Sequence, residues 1–249
     1  MAKLAVIAGQ GQIPVQIAEM AVRMGYDVLV MPIAGQADAD FSAFASSVIA
    51  LGSIDKTLAL MLDEGCAYVV MAGKVVRPSL AALKPDASAL KLIGKAMMRG
   101  DDSLLRVIRD FFAGNGIETL APCDFMPDRL ARAGLLVGRS PNAKQENDIA
   151  LGRRVLAALG GLDVGQAVIV QAGRVLAIEA AEGTDEMLRR TAGVVDATES
   201  PAVMIKLPKS GQDTSLDTPV IGVGTIEGAA DAGIGVIAVQ AQGVLFAQS

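Results

Sequence analysis

From Leu4 to Leu120 the chain alternates short apolar runs with amphipathic stretches, and this alternation limits the fold more than any other feature. Leu4–Ala8, Asp27–Ile33, Ala67–Met71 and Ile117–Leu120 read as strands. They are almost continuously apolar, which suits strands buried on both faces. Between them lie helical patterns over Pro14–Met24, Ser53–Asp63 and Ser79–Met98, with a fourth opened by Asp101-Asp102-Ser103 and closed near Gly114-Asn115-Gly116. Pro14 suits a first helical turn, Ser53 an N-cap, and the two aspartates a cap with a favourable first-turn charge. Strand and helix in strict succession predict a parallel sheet with right-handed crossovers, a Rossmann-like domain over residues 1–130.

The pattern weakens around Pro122, Pro127 and Pro141 and the polar run after Asn142, which places a linker at 131–146. Beyond it, residues 147–249 read as a smaller mixed α+β domain. A helix is expected over Asp148–Leu159, a hairpin of Gln166–Gln171 and Arg174–Ala180 around Ala172-Gly173, and a helix over Thr184–Thr191. A strand at Ala202–Leu207, a helix at Gly224–Ala232 and two last strands at Val236–Gln240 and Val244–Ala247 complete it. The fold class is therefore α/β, a Rossmann-like parallel-sheet domain joined by a linker to a smaller α+β domain.

Composition removes several chemistries. The 249 residues contain no His, which excludes Ser-His-Asp and Cys-His nucleophile systems and every His-containing metal site. The two cysteines, Cys66 and Cys123, cannot build a four-thiolate site and read as buried apolar residues of a reducing compartment. Any metal must then be hard and held by oxygen, which favours Mg2+ or Mn2+. A net charge of −5 and 3% aromatic residues argue against nucleic acid as a partner. The N-terminal apolar run stops at Gly9-Gln10-Gly11 without the pattern of a signal peptide, and no uncharged stretch reads as a spanning helix, so a cytoplasmic protein is expected.

Four segments carry candidate chemistry. Gly9-Gln10-Gly11-Gln12-Ile13-Pro14 joins a buried strand to a helix, where free N–H groups and the dipole favour a phosphate; the alternative is a tight turn without a ligand. It is not a full dinucleotide fingerprint, lacking the third glycine and the ribose-binding acid at the end of the second strand, which disfavours nicotinamide cofactors. Met71-Ala-Gly73-Lys74-Val-Val-Arg77-Pro78 follows the third strand, on the sheet edge where ligands of open α/β sheets bind, or is a solvated basic loop. In Glu179-Ala-Ala-Glu182-Gly-Thr184-Asp185-Glu186, four acids could converge as oxygen ligands, or Thr184 could cap a helix with Asp185 and Glu186 in its first turn. Glu179 and Glu182 resist that second reading better, Glu179 because an unpaired charge in an apolar strand is costly. Lys206-Leu-Pro-Lys209-Ser-Gly-Gln212-Asp213-Thr-Ser-Leu-Asp217 has two acids and two lysines able to hold Mg2+ against a diphosphate, or is a charged surface loop.

Six segments in this order, 9–14, 71–78, 101–106, 162–168, 178–185 and 206–213, resemble the UDP-2,3-diacylglucosamine pyrophosphatases of lipid A biosynthesis, the LpxI-type family distinct from the metallophosphoesterase form. The resemblance covers nearly the whole chain. It implies Mg2+-dependent hydrolysis of UDP-2,3-diacylglucosamine to UMP and 2,3-diacylglucosamine 1-phosphate (lipid X), with a UDP-side N-terminal domain and a lipid- and metal-binding C-terminal domain. On this reading Gly9, Gly11, Gln12, Gly73, Lys74, Lys206, Lys209 and Gln212 bind substrate. Asp213 and Asp217 are catalytic, and with Glu182 and Asp185 they form the metal and attacking-water region. Peripheral contact with the cytoplasmic face of the inner membrane and a homodimer are the further partner expectations. A nucleotide-sugar oxidoreductase or transferase, and a non-catalytic UDP-lipid binding or regulatory protein, are the rival readings.

Overall fold

The computed structural model describes residues 1–76, 83–97, 103–162, 164–209 and 218–247. The chain divides into two compact units, one built on Met1–Pro127 and the other on the described residues from Asp128 onward. Residues 131–146, expected as a linker, lie in the second unit, and Ala131 is buried in a small core there with Ile221 and Val244.

In the first unit, strands β1 (Lys3–Ala8), β2 (Asp27–Pro32), β3 (Ala45–Ser46), β4 (Cys66–Ala72) and β5 (Glu118–Thr119) form one sheet in the order β3-β2-β1-β4-β5. Every pairing is parallel, as the alternation of strands and helices requires. Helices α1 (Ile13–Arg23), α2 (Ile54–Asp63), α3 (Ala87–Met97) and α4 (Ser103–Gly114) are the connections. Ala5, Leu29, Met31 and Val69 pack with Met61 of α2 and Phe112 of α4. Leu4, Val6 and Ala8 alternate with them and are equally inaccessible; α1, which buries Ile17, Ala18 and Ala21, contacts β1, β2 and β4. Both sheet faces are thus covered, which explains strands that are apolar without alternation. Cys66 is a core residue, and burial pushes its thiol pKa up, so it behaves as a small apolar side chain.

The second unit has a four-stranded mixed sheet in the order β10-β8-β6-β7, from β6 (Ala167–Gln171), β7 (Arg174–Ile178), β8 (Ala202–Lys206) and β10 (Ile234–Val239). The β6–β7 and β6–β8 pairs are antiparallel, and β8–β10 is parallel. Helix α5 (Ala143–Gly160) covers one face through Leu156 against Val168, Val170, Val203 and Ile205. Gly152 lets it approach closely: a Cβ there would stand 2.5 Å from Ile205 Cδ1. On the other face, α6 (Thr184–Thr191) and α7 (Val223–Asp231) bring Met187, Leu188 and Ala229 onto Ile169 and Met204. The last two expected strands part company: β10 joins this sheet, whereas β11 (Leu245–Phe246) pairs with β9 (Val220–Ile221) in a separate two-stranded sheet.

The two N-cap readings come out differently. Ser53 stands at the N-cap of α2 but its side chain makes no cap bond; the Asp55 N–H donates instead to Asp86 Oδ2 at 2.8 Å. Thr184 is the first residue of α6, whose N-cap is Gly183, and its hydroxyl is committed elsewhere.

Candidate active-site residues

At the carboxyl end of the parallel sheet, the loops after β1 and β4 are joined backbone to backbone. Gly9 N–H donates to the Ala72 carbonyl at 2.8 Å, Gln10 N–H to Lys74 at 2.8 Å, and Lys74 N–H returns to Gln10 at 3.1 Å. Side chains at the two glycines would break this contact. A Cβ on Gly9 would stand 2.6 Å from the Lys74 carbonyl oxygen, and one on Gly73 2.7 Å from that of Gln10. Gly73 also has φ +91°, a region that side-chain-bearing residues avoid. The mutual approach therefore requires glycine at both positions.

Gly11 has φ +90°, and its N–H donates to Asp38 Oδ1 at 2.7 Å, so an acid reaches the loop from beyond the second strand after all. This carboxylate holds a donor that the sequence assigns to a phosphate. Beside it, the Gln36 side-chain amide exchanges two 3.0 Å bonds with the Val76 backbone. Gln12, at the N-cap of α1, and Lys74 are exposed. The structure thus places Gly9, Gly11, Gln12, Gly73 and Lys74 on one edge. It adds Asp38 and Gln36, which nothing in the local spacing marks.

The second unit holds a buried polar chain. Glu179 follows β7 and is 7% exposed, and Lys206 ends β8 at 5%. Thr184 connects them: Lys206 Nζ donates to its Oγ1 at 2.9 Å, and the hydroxyl donates to Glu179 Oε1 at 2.6 Å. Because an ammonium only donates, the direction of the hydroxyl proton is fixed toward the carboxylate. Glu179 Oε2 accepts the Gln166 N–H at 2.9 Å, and Lys206 also donates to the Val220 carbonyl at 3.0 Å. Gly165 permits this wrap with φ +51°, since a Cβ there would stand 2.0 Å from the Glu179 carbonyl oxygen. The side-chain oxygen Oε1 of Gln166 is buried with no partner among the described residues. The cost expected of an isolated Glu179 is met by this pairing, and Lys206 is held at a defined position.

The other three acids of the segment are less enclosed. Glu182 accepts Arg190 at 2.9 Å, and the same guanidinium donates to the Ile178 carbonyl at 2.5 Å. Its own backbone N–H, and then Arg190, hold the Glu182 carboxyl below its ordinary value. Asp185 is exposed in the first turn of α6, beside Glu186, which pairs with Arg189. Lys209 is half-buried beyond β8. Gln212, Asp213 and Asp217 lie outside the described residues, as do Arg77, Asp101 and Asp102. Among the described residues no three acidic or thiol side chains group to hold a cation. Glu182 and Asp185 alone do not make a Mg2+ cage, so a metal would depend on acids outside that set.

Both parts of the chain match known families. Residues 3–129 match the LpxI N-terminal domain and residues 132–249 the LpxI C-terminal domain. A UDP-2,3-diacylglucosamine pyrophosphatase LpxI from Caulobacter vibrioides is 38% identical over 242 residues, covering 94% of this chain and 86% of that protein. Among solved structures, CobK precorrin-6A reductase is 14% identical, with a TM-score of 0.35 over 98% of this chain and 90% of its own. A UDP-N-acetylglucosamine 4-epimerase from Bacillus cereus is 13% identical, with a TM-score of 0.29 over 49% of this chain and only 35% of its own. Likenesses this weak carry no argument about the present fold or chemistry. The two ordered domain matches and the full-length relative are decisive by themselves, and the chain belongs to the LpxI family.

Proposed function

We propose that this protein is an enzyme that hydrolyses the pyrophosphate bond of UDP-2,3-diacylglucosamine, releasing UMP and 2,3-diacylglucosamine 1-phosphate in lipid A biosynthesis. The observation that carries the reading is the 38% identity to the Caulobacter pyrophosphatase across 94% of this chain. In this scheme water attacks the sugar-side phosphorus and the bond from that phosphorus to the bridging oxygen breaks. UMP leaves with the bridging oxygen, and a carboxylate of the Asp213 and Asp217 pair takes the proton of the attacking water. The charge of Lys206, fixed through Thr184, suits stabilisation of the negative charge that develops on the phosphates. Lys74 and Lys209 supply further cationic contacts, and Gln212 a polar one.

The reading includes dependence on Mg2+, with Mn2+ as a substitute, bound by Asp213 and Asp217 together with substrate phosphates. A diphosphate substrate and a chain without His favour a hard cation on carboxylates, and such a cation would neutralise the phosphates. It also includes work at the cytoplasmic face of the inner membrane, where a diacylated substrate resides. No helix among the described residues is long and apolar enough to cross a membrane.

The test is Asp213→Asn and Asp217→Asn, assayed for UMP release with Mg2+ or with EDTA and, separately, for UMP binding. The reading expects turnover to fall at least about a hundredfold in one or both variants and in EDTA, with UMP still bound. Full turnover in both variants would remove these residues from the chemistry. Ligand binding without turnover in the unaltered protein would make it a UDP-lipid binding protein instead.

A further inference from the structure

Between Arg129 and Lys144 the second unit carries an apolar tip that its own core does not use. Residues 132–140 are exposed without interruption, in the sequence Arg132-Ala-Gly134-Leu135-Leu136-Val137-Gly138-Arg139-Ser140. Leu135 is 58% exposed, Leu136 46% and Val137 87%. Among the described residues this is the one place where three consecutive large aliphatic side chains face solvent. Gly134 (φ +94°) and Gly138 (φ +84°) bracket them, and no atom lies within 4 Å of where a Cβ on either would stand. The tip therefore packs on nothing at its two turns.

Its charge contrasts with the rest of the chain. From Arg129 to Ser140 there are three arginines and no acid, in a protein of net charge −5. Arg132 and Arg139 flank the aliphatic residues and are exposed, with no ion-pair partner among the described residues. Aliphatic side chains between unpaired guanidinium groups match an anionic bilayer surface, where the apolar residues enter the acyl boundary and the arginines stay with lipid phosphates. A protein partner would favour a broader patch with aromatic anchors, and this tip has none. A fluid bilayer needs no complementary groove to receive it.

The geometry points to residues 132–139 as the segment that docks this protein on an anionic lipid surface, Leu135, Leu136 and Val137 inserting and Arg132 and Arg139 contacting headgroups. The assignment deepens the proposed work on a membrane lipid and rests on that reading for its setting, but it is tested without the substrate. The probe is co-sedimentation of the full-length protein with vesicles of phosphatidylcholine, alone or mixed with phosphatidylglycerol. Three variants are compared: Leu135→Ser with Leu136→Ser and Val137→Ser; Arg132→Glu with Arg139→Glu; and Val48→Ser, which removes an exposed aliphatic of the first unit.

The expected result is binding to the phosphatidylglycerol vesicles that weakens at least about tenfold in the first two variants, weakens with salt, and is unchanged in Val48→Ser. Hydrolysis of UDP-2,3-diacylglucosamine dispersed in detergent should persist in all three. Unaltered protein that fails to sediment with anionic vesicles would overturn the assignment, as would tip variants that bind them fully. Loss of self-association in the first variant, with vesicle binding intact, would overturn it in favour of a second copy of the chain. A protein that binds vesicles through the tip yet hydrolyses nothing in detergent would leave the docking surface standing and remove the enzymatic reading.

Discussion

The Thr184 hydroxyl is the smallest group on which much of the second unit depends. It accepts from Lys206 and donates to Glu179, so two buried ionic groups share one oxygen. Thr184→Val preserves the shape and removes the bridge, while Thr184→Ser restores it. The Val variant should lose about 1–3 kcal/mol of stability in denaturant titration. If Lys206 acts on the diphosphate, the same variant should lower kcat by on the order of tenfold to a hundredfold through misplacement of its charge. The Ser variant should recover both; a Val variant with unchanged kcat would mean that Thr184 serves stability alone. Glu182 supplies a pH test. Its pKa lies below the ordinary 4.5 in the folded state, so the stabilisation is present above that value and fades as pH falls through the lowered one. Urea titrations across this range should show Glu182→Gln less stable than the unaltered protein at neutral pH, with the small difference closing in acid.

Elements form here for reasons of two kinds, local and long-range. The β6–β7 hairpin was readable from Ala172-Gly173, and both residues do take positive φ, 49° and 75°. Its second support comes from far along the chain: Asp148 of α5, 2% exposed, accepts the Gly173 N–H at 2.7 Å and the Ala172 N–H at 2.9 Å. Asp148→Asn replaces one acceptor with a donor facing an N–H. It should cost about 1–3 kcal/mol and speed hydrogen exchange at the amides of residues 172 and 173; protection equal to that of the unaltered protein would show that the turn holds itself. The longer strands and helices were legible because burial on both faces leaves apolar runs, and packing on one face leaves helical periodicity. Strands β3 and β9 were not: two residues carry no period, and unlike β5 and β11 these two do not sit within a longer run that the sequence marks as a strand. The cap positions of Ser53 and Thr184 lay within one residue of the helix starts, but their side-chain partners are set by distant chain. For the same reason Gly9 and Gly73 read as a phosphate cradle, although each is required by the backbone of the other, and the carboxylate of Asp38 on Gly11 left no trace in the spacing. Glu179 was the exception: an acid among apolar residues announces a partner even when the sequence does not say which.

At the scale of the whole molecule, two units with separate cores divide the candidate residues between them. The first unit carries Gly9, Gly11, Gln12, Gly73 and Lys74 at the carboxyl edge of its parallel sheet, and the second carries Lys206 at the end of β8, Thr184 at the start of α6 and Glu179 just after β7. Both domain matches and the Caulobacter relative run the length of the chain, and this whole-chain agreement rather than any one motif supports the enzymatic reading. The central claim is the reaction itself. Its most direct test is mass spectrometry of the products formed from UDP-2,3-diacylglucosamine by the purified protein in oxygen-18 water, with Mg2+ present. The account predicts UMP without label and 2,3-diacylglucosamine 1-phosphate carrying one labelled oxygen; intact substrate, or label in UMP, would contradict it.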